Sequence, residues 1–479
     1  MLTKKRGRQK MKYISTRGKG GILGFPEVVL AGLAKDGGLY VPDHFPRVTK
    51  DEIDQFCKYE YHQVAFAIMK KFAPDMNASK LWTAVRNSYK PEIFGNVNNG
   101  DNAFEIVPIH KLDNNLFLAR LSNGPTLAFK DLGLQPLGHL FETVLSGKNL
   151  NVLGATSGDT GSAAIRAMLG RKGISVFMLS PREGMSAFQS AQMWGVNDEA
   201  IHNIAIRGSF DDCQNIVKLI NADAEFKQKY SLGAVNSINW ARIAAQVPYY
   251  FRAYSRACGE AGGQVDFAIP TGNFGNIYAA YVAKMMGLPI RNLILATNEN
   301  DVLHEFFVTG IYQPRSKTIT TSSPSMDITS ASNFERYIYH LLGGDAVRVA
   351  GLWRELKDTG RFDLSHLLNE INATGITSHS ISEADSYAVI RETYNQYDVI
   401  IDPHTAIAMS AGRRMINDGV PMIVMETAQP CKFDETISKV LGTTAQVPSG
   451  MKGVINAEQF FTVLDPDAEQ VMDFIRQRA

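Results

Sequence analysis

The chain has 479 residues, 45% of them hydrophobic and 20% charged, with a formal net charge of +1. That composition is ordinary for a globular enzyme. The length exceeds a single core and predicts two or three lobes, and the near-zero charge removes any general electrostatic case for nucleic-acid binding. Cys57, Cys213, Cys258 and Cys431 are scattered, with neither zinc-type pairing nor a disulfide framework, and no apolar run is long enough to span a membrane.

Residues 1–10 are basic and lack the apolar core of a signal peptide. Helical periodicity over 26–34, 53–57, 61–72 and 78–90 predicts a mostly helical N-terminal lobe. From Asn115 onward, strand-like runs at 116–121, 152–154, 176–179, 204–206, 267–269, 293–296, 399–401 and 422–425 alternate with helices. This predicts an α/β fold of parallel sheets covered by helices on both faces. Residues 186–194 and 211–221 read as amphipathic helices with no chemistry assigned.

In Gly124-Pro125-Thr126-Leu127-Ala128-Phe129-Lys130-Asp131 a lysine is framed by apolar residues at the expected start of a helix. Burial against Leu127 and Phe129 would penalise the ammonium, and the positive end of a following helix would push the same way. Those conditions make a lysine nucleophilic. A solvated Lys–Asp pair at a helix start is the ordinary alternative.

The run Asn151-Val152-Leu153-Gly154-Ala155-Thr156-Ser157-Gly158-Asp159-Thr160-Gly161 joins a strand over 150–153 to a small-residue helix over 163–169. Free N–H groups at the helix start and the hydroxyls of Thr156, Ser157 and Thr160 suit a carboxylate. Plain N-capping is the competing reading, but capping needs one such residue rather than four. A third loop, Pro270-Thr271-Gly272-Asn273-Phe274-Gly275-Asn276, again joins strand to helix. Gly272 and Gly275 permit positive φ and close approach, so successive N–H groups can nest a phosphate. Neither a third glycine for a dinucleotide fingerprint nor a Walker lysine is present.

Lysine, carboxylate turn and phosphate nest, in that order, resemble the pyridoxal-phosphate enzymes of fold type II, the tryptophan-synthase-like fold. Gly124–Asp131, Gly154–Gly161, Asn236-Ser237-Ile238-Asn239-Trp240-Ala241-Arg242 and Pro270–Asn276 are similar to the threonine synthase family in its long bacterial and fungal form. So are Tyr13–Gly18, Asp36–Pro42, Ser322-Ser323-Pro324-Ser325-Met326-Asp327-Ile328, Asp402-Pro403-His404-Thr405-Ala406 and Glu426-Thr427-Ala428. The resemblance begins near Met11, so residues 1–10 are read as the product of an upstream start codon or a disordered tail.

The resemblance implies three domains: an N-terminal helical domain over 1–105, a large cofactor-binding domain over 106–145 and 240–479, and a small closing domain over 146–239. It implies pyridoxal 5'-phosphate as cofactor, bound covalently by Lys130, with Asp159 beside its phenolic oxygen. Gly272, Asn273, Phe274, Gly275 and Asn276 would hold its phosphate, and Thr427 would face its ring nitrogen. Thr156, Ser157, Gly158 and Thr160 fall on the turn for the substrate carboxylate. Ser237, Asn239 and Arg242 fall on groups for the substrate phosphate, a job that suits an arginine fork.

Many relatives carry His at Gln429 and Asn123 and Ala at Cys431, so no titrating imidazole is expected at 123 or 429. Cys431 is expected to be a small buried apolar residue near the cofactor.

The implied reaction converts O-phospho-L-homoserine and water to L-threonine and phosphate, the final step of threonine biosynthesis. Lys130 would remove the Cα proton, the γ-phosphate would leave, and water would add at Cβ. The expected setting is the cytoplasm, with the chain a monomer or weak homo-oligomer and no nucleic-acid or membrane partner. A related phospho-amino-acid lyase or dehydratase is the alternative. A dehydratase has no need of the second anion site at 236–242. A cofactor-free binding protein would have no use for Lys130.

Overall fold

The computed structural model describes residues 11–95, 105–259, 262–417 and 419–479. The expected tail at 1–10 lies outside them.

The larger sheet has six strands in the spatial order Ile376–Ser380, Ile290–Thr297, Val265–Pro270, Met422–Glu426, Leu116–Arg120 and Ile109–Asp113. All neighbours run parallel except the last pair. Val265–Pro270 is buried at every position, as a strand covered on both faces must be. The smaller sheet is wholly parallel, in the order Thr462–Leu464, Ile201–Ile206, Ile174–Pro181, Leu150–Ala155 and Leu232–Gly233.

Two expectations need correction. Residues 399–401 form no strand. They fill the short link between the helices Glu383–Tyr397 and Pro403–Arg413, where Asp398 ends the first at φ 54 and Asp402 caps the second. The apolar run there buries Ile401 without pairing it. The sheet's edge strand is instead Ile376–Ser380, whose polar sequence hides it because most of its residues are only half-buried.

The second correction concerns the C-terminal boundary. Thr462–Leu464 pairs with Ile201–Ile206, and the helix Ala468–Arg476 buries Val471, Phe474 and Ile475 in the core beneath the smaller sheet. The last stretch of chain therefore belongs with 146–239 rather than with the large lobe.

The N-terminal lobe holds the helices Phe25–Ala31, Lys50–Phe56, Tyr61–Phe72 and Ala78–Ser88. It also contains a three-stranded antiparallel sheet of Ile22–Leu23, Tyr13–Ser15 and Tyr40–Pro42. Its Tyr13–Gly18 and Asp36–Pro42 runs supply docking points. The Arg17 guanidinium pairs with Glu335 at 2.7 Å, Thr16 donates to the same carboxylate, and Arg336 donates to the Tyr40 carbonyl.

Candidate active site

Both sheets send their strand ends to one place, where strand-to-helix loops supply the chemistry. Lys130 opens the helix Lys130–Leu145. The loop before it is stitched to the end of Met422–Glu426: Phe129 donates to the Thr427 carbonyl at 2.9 Å and Gln429 to the Leu127 carbonyl at 3.0 Å. Asp131 does not pair with its neighbour. It is fully buried and accepts from the Thr126 N–H at 2.8 Å and the Thr126 hydroxyl at 2.9 Å. A Cβ on Gly124 would lie 2.5 Å from that carboxylate, so only glycine fits there. The solvated helix-start pair is thereby excluded.

The Lys130 amine instead meets Asp159, at 3.1 Å, and the Ser325 hydroxyl, also at 3.1 Å. The other oxygen of Asp159 accepts from Lys432 at 2.8 Å and from Gln189 at 2.9 Å. Lys432 is itself buried and donates to the Thr126 carbonyl at 2.6 Å. Burial lowers the Lys130 pKa, the charges of Lys432 and Arg242 lower it further, and Asp159 opposes them. Burial alone would raise the Asp159 pKa, but the two lysines outweigh it and hold the carboxylate well below its ordinary value.

Sequence reasoning missed Lys432, Gln189 and Ser325 as site residues. Gln189 lies on the helix Ala187–Trp194, to which no chemistry had been assigned. A Cβ at Gly158, where φ is 135, would lie 2.8 Å from the Gln189 amide carbon. The glycine thus lets Gln189 close over the turn.

Replacing Lys432 with methionine keeps the volume and removes one buried charge. Asp159 then pairs with Lys130 alone, which raises the Lys130 pKa and favours the ammonium. The limb of the kcat–pH profile that requires a neutral Lys130 should move to higher pH, and stability should fall by about 3 kcal/mol. A pH titration of kcat together with denaturant unfolding checks both.

The carboxylate turn divides the labour among its residues. The Thr156 hydroxyl points inward and accepts from the Gly158 N–H at 3.0 Å and the Gly161 N–H at 2.8 Å, so it shapes the turn. Ser157 and Thr160 are half-buried, and their hydroxyls have no hydrogen-bond partner among the described residues.

In the third loop the positive φ falls on Phe274, at 61, and not on Gly272 or Gly275. A bulky residue in that region is strained, and such strain concentrates at functional sites. Gly272 serves close approach: a Cβ there would lie 2.8 Å from the Ser325 carbonyl. Phe274 leaves the helix Gly275–Met286 without a side-chain cap, so its first N–H groups remain for an anion.

The Asn276 Oδ1 accepts from Tyr249 and Tyr250 at 2.5 and 2.6 Å, and its buried Nδ2 has no partner among the described residues. Asn273 accepts from Ser332 at 3.1 Å, and Ser332 meets Ser237 at 3.0 Å, which links the two predicted anion loops. At Gly275 a new Cβ meets nothing nearer than Asn333 at 3.4 Å. Gly275→Ala should therefore be mild, whereas Gly275→Asp should weaken the binding of a phosphorylated cofactor by several kcal/mol through like charge. Equilibrium titration of cofactor affinity distinguishes the two substitutions.

Among the phosphate residues, Asn239 is already committed. Its amide oxygen caps Trp240–Cys258 through the Ala241 N–H, and its amide nitrogen donates to the Val29 carbonyl at 2.9 Å. It therefore fixes the N-terminal lobe against this helix. Arg242 is 4% exposed, donates to the Val235 carbonyl at 2.8 Å, and has no carboxylate partner among the described residues. Its Nε is buried and unpaired, and burial pushes its pKa down to about 10.

Gln429, where many relatives have His, donates to Ser122 at 2.6 Å and to Glu426 at 3.1 Å. Glu426 is also bound by Ser122 and Arg120, and burial raises its pKa against them. Asn123 donates weakly to the carbonyls of Ile106 and Arg120. Burial pushes the Cys431 thiol up to about 11, which removes it as a nucleophile at neutral pH.

A buried lysine with a depressed pKa, an uncapped helix start and a buried unpaired arginine fit a phosphorylated aldehyde cofactor with an anionic substrate. Residues 12–89 match the family described as the threonine synthase N terminus, 405–475 match threonine synthase, C-terminal, and 103–351 match the pyridoxal-phosphate dependent enzymes. A threonine synthase of Methylobacillus glycogenes is 47% identical over 97% of this chain and 99% of its own length. The crystal structure of a pyridoxal-phosphate-bound threonine synthase from Brucella melitensis superposes with a TM-score of 0.91 at 39% identity, covering 98% of this chain and 99% of that one. The yeast enzyme superposes with a TM-score of 0.89 at 35% identity, covering 98% of each chain. With 97–98% of its length matched in sequence and fold, the chain belongs to the threonine synthase family of fold type II, pyridoxal-phosphate-dependent enzymes.

Proposed function

We propose that this chain converts O-phospho-L-homoserine and water to L-threonine and phosphate, with the substrate carboxylate held at Ser157–Thr160 and the substrate phosphate at Arg242 and Ser237. The observation that carries the phosphate assignment is Arg242, a buried guanidinium without a counter-charge among the described residues, whose field reaches Lys130. A buried charge left unpaired is costly, and an incoming dianion removes that cost.

Bound pyridoxal phosphate supplies the electron sink that makes loss of the Cα proton possible. The rest is the work of protein groups. Lys130 accepts the Cα proton, and its depressed pKa keeps the amine available in neutral form. The N–H groups at Gly275 and its successors anchor the cofactor phosphate. Thr427, after the strand Met422–Glu426, would offer the ring nitrogen of a bound cofactor a hydroxyl rather than a carboxylate. Arg242 and Ser237 offset the charge that grows on the leaving phosphate.

The same reading assigns the chain to the cytoplasm, as a monomer or weak homo-oligomer acting on a small molecule without nucleic-acid or membrane partners. No helix among the described residues is long and apolar enough to cross a membrane. Incubation of the cofactor-loaded protein with O-phosphohomoserine, assayed in parallel for phosphate and threonine, tests the proposal. Equal release of the two products supports it. Phosphate with a keto acid in place of threonine would identify a phospholyase.

A further inference from the structure

The Ser322–Ile328 and Asp402–Ala406 motifs carry no role in the reaction as derived above, yet they meet at Ser325, whose hydroxyl contacts the Lys130 amine. Pro324–Met326 forms a single 3-10 turn. Asp327 secures it, accepting from the Thr321 hydroxyl at 2.7 Å and from the Asn298 amide at 2.7 Å. The Ser325 carbonyl packs against Gly272, where a Cβ would sit 2.8 Å from it. The Ser325 N–H donates to His404 Nε2 at 3.1 Å. On the far side of the ring, His404 Nδ1 lies 2.7 Å from Asp402, which is fully buried. A nitrogen facing a carboxylate carries the proton, and a nitrogen facing an N–H must accept, so these partners assign the neutral Nδ1–H tautomer. The backbone of Ser325 is thus fixed through both its N–H and its carbonyl.

What this fixes is the direction of one hydroxyl. Lys130 Nζ, Ser325 Oγ and Asp159 Oδ2 form a triangle with all three sides 3.1 Å. The Ser325 proton goes to Asp159, because a carboxylate oxygen can only accept. The hydroxyl therefore presents its lone pair, not its proton, to the lysine. A neutral amine has two N–H bonds and one lone pair. With one N–H given to Ser325 and the other to Asp159, the lone pair is left in the remaining tetrahedral direction. Lys432 and Gln189 do not disturb this, since they occupy the other oxygen of Asp159.

We propose that Ser325 is a further catalytic residue, orienting the released Lys130 amine so that its lone pair faces the Cα proton, and that His404 and Asp402 are positioning residues acting through the Ser325 N–H. This rests on the proposed role of Lys130 as the base. The step it serves is a single transfer: the Cα–H bond breaks, its proton joins Lys130 Nζ, and the electron pair passes to the bound cofactor.

The test uses the cofactor-loaded enzyme with L-2-aminobutyrate, which has the chain length of the substrate and no leaving group. Binding is read as the change in visible absorbance when the amino acid displaces Lys130, and the base step as deuterium entry at Cα by NMR. Ser325→Ala should slow the exchange by roughly 10–100-fold while leaving the concentration dependence of the absorbance change in place. Ser325→Thr, which keeps the hydroxyl, should retain most of the exchange. His404→Leu should slow it in the same way, and His404→Gln, which restores an acceptor for the N–H, should recover it. The double variant Ser325→Ala/His404→Leu should be no slower than Ser325→Ala.

Unchanged exchange in Ser325→Ala overturns the role of Ser325, and fully additive losses in the double variant overturn the route from His404. A parallel loss of binding and exchange overturns orientation in favour of a structural role. Failure of the underlying reading is distinct: wild-type enzyme would then form no threonine, and Lys130→Ala would exchange as fast as wild type.

Discussion

Lys130→Ala is expected to abolish turnover and remove the visible absorbance of the lysine-bound cofactor, while the cofactor's phosphate still binds at the start of Gly275–Met286. The separation follows from geometry, because the covalent and phosphate anchors are on different loops. No neighbour can replace the lysine. Lys432, the other cation on Asp159, is wholly buried and held by Thr126 on its far side. Loss of a proton-transfer base alone is worth about 10²–10⁴ in rate, and loss of the covalent link adds to it. Phosphate release and absorbance, measured on the same preparation, check the prediction. Retained activity would mean that the nucleophile lies elsewhere.

The sequence carried the strand-to-helix loops well because each is punctuated by residues with a single structural use. Lys130 opens its helix as expected, and Ser157 and Gly158 sit on a tight turn. It carried partnerships poorly. Asp159, Gln189, Ser325 and Lys432 meet in space from four separate segments, and no periodicity links them. Lys432 in particular lies in a short 3-10 run, Pro430–Phe433, where a lysine reads as surface. The roles of hydroxyls and amides were equally hidden. Thr156, Asn239 and Asn276 have the right chemistry for a ligand, but the Thr156 hydroxyl is used by Gly158 and Gly161, the Asn239 amide by Val29 and Ala241, and the Asn276 oxygen by Tyr249 and Tyr250. Residue type suggests what a side chain can bind. Only the fold determines whether that capacity has already been used. The phosphate loop shows the same limit from another side, since the strained φ sits on Phe274 although two glycines flank the site.

Arg242 is the residue for which function and stability are expected to separate most clearly. Its guanidinium is 4% exposed, has one backbone acceptor in Val235, and leaves Nε unpaired. Burial lowers its pKa to about 10. The sign follows directly: the folded state holds the charged form less well than the unfolded chain does. Below the folded pKa the group therefore opposes folding, by on the order of 3 kcal/mol, and that opposition fades as pH rises through it. Arg242→Met, which fills similar volume without charge, should then leave the ligand-free protein as stable as wild type or more so. It should also lose about 2–4 kcal/mol in kcat/KM on O-phosphohomoserine, as expected for one lost charged donor at a developing phosphate charge. Arg242→Lys should fall between, because an ammonium restores charge but not the planar fork. Reaction with unphosphorylated amino acids and cofactor absorbance should survive both changes, since neither uses the clamp. A structural arginine would behave in the opposite way, with Arg242→Met lowering the unfolding midpoint and depressing phosphorylated and unphosphorylated substrates alike. Denaturant unfolding without ligand, paired with kcat/KM for the two substrate types, distinguishes a guanidinium kept for a leaving phosphate from one kept for the Val235 carbonyl.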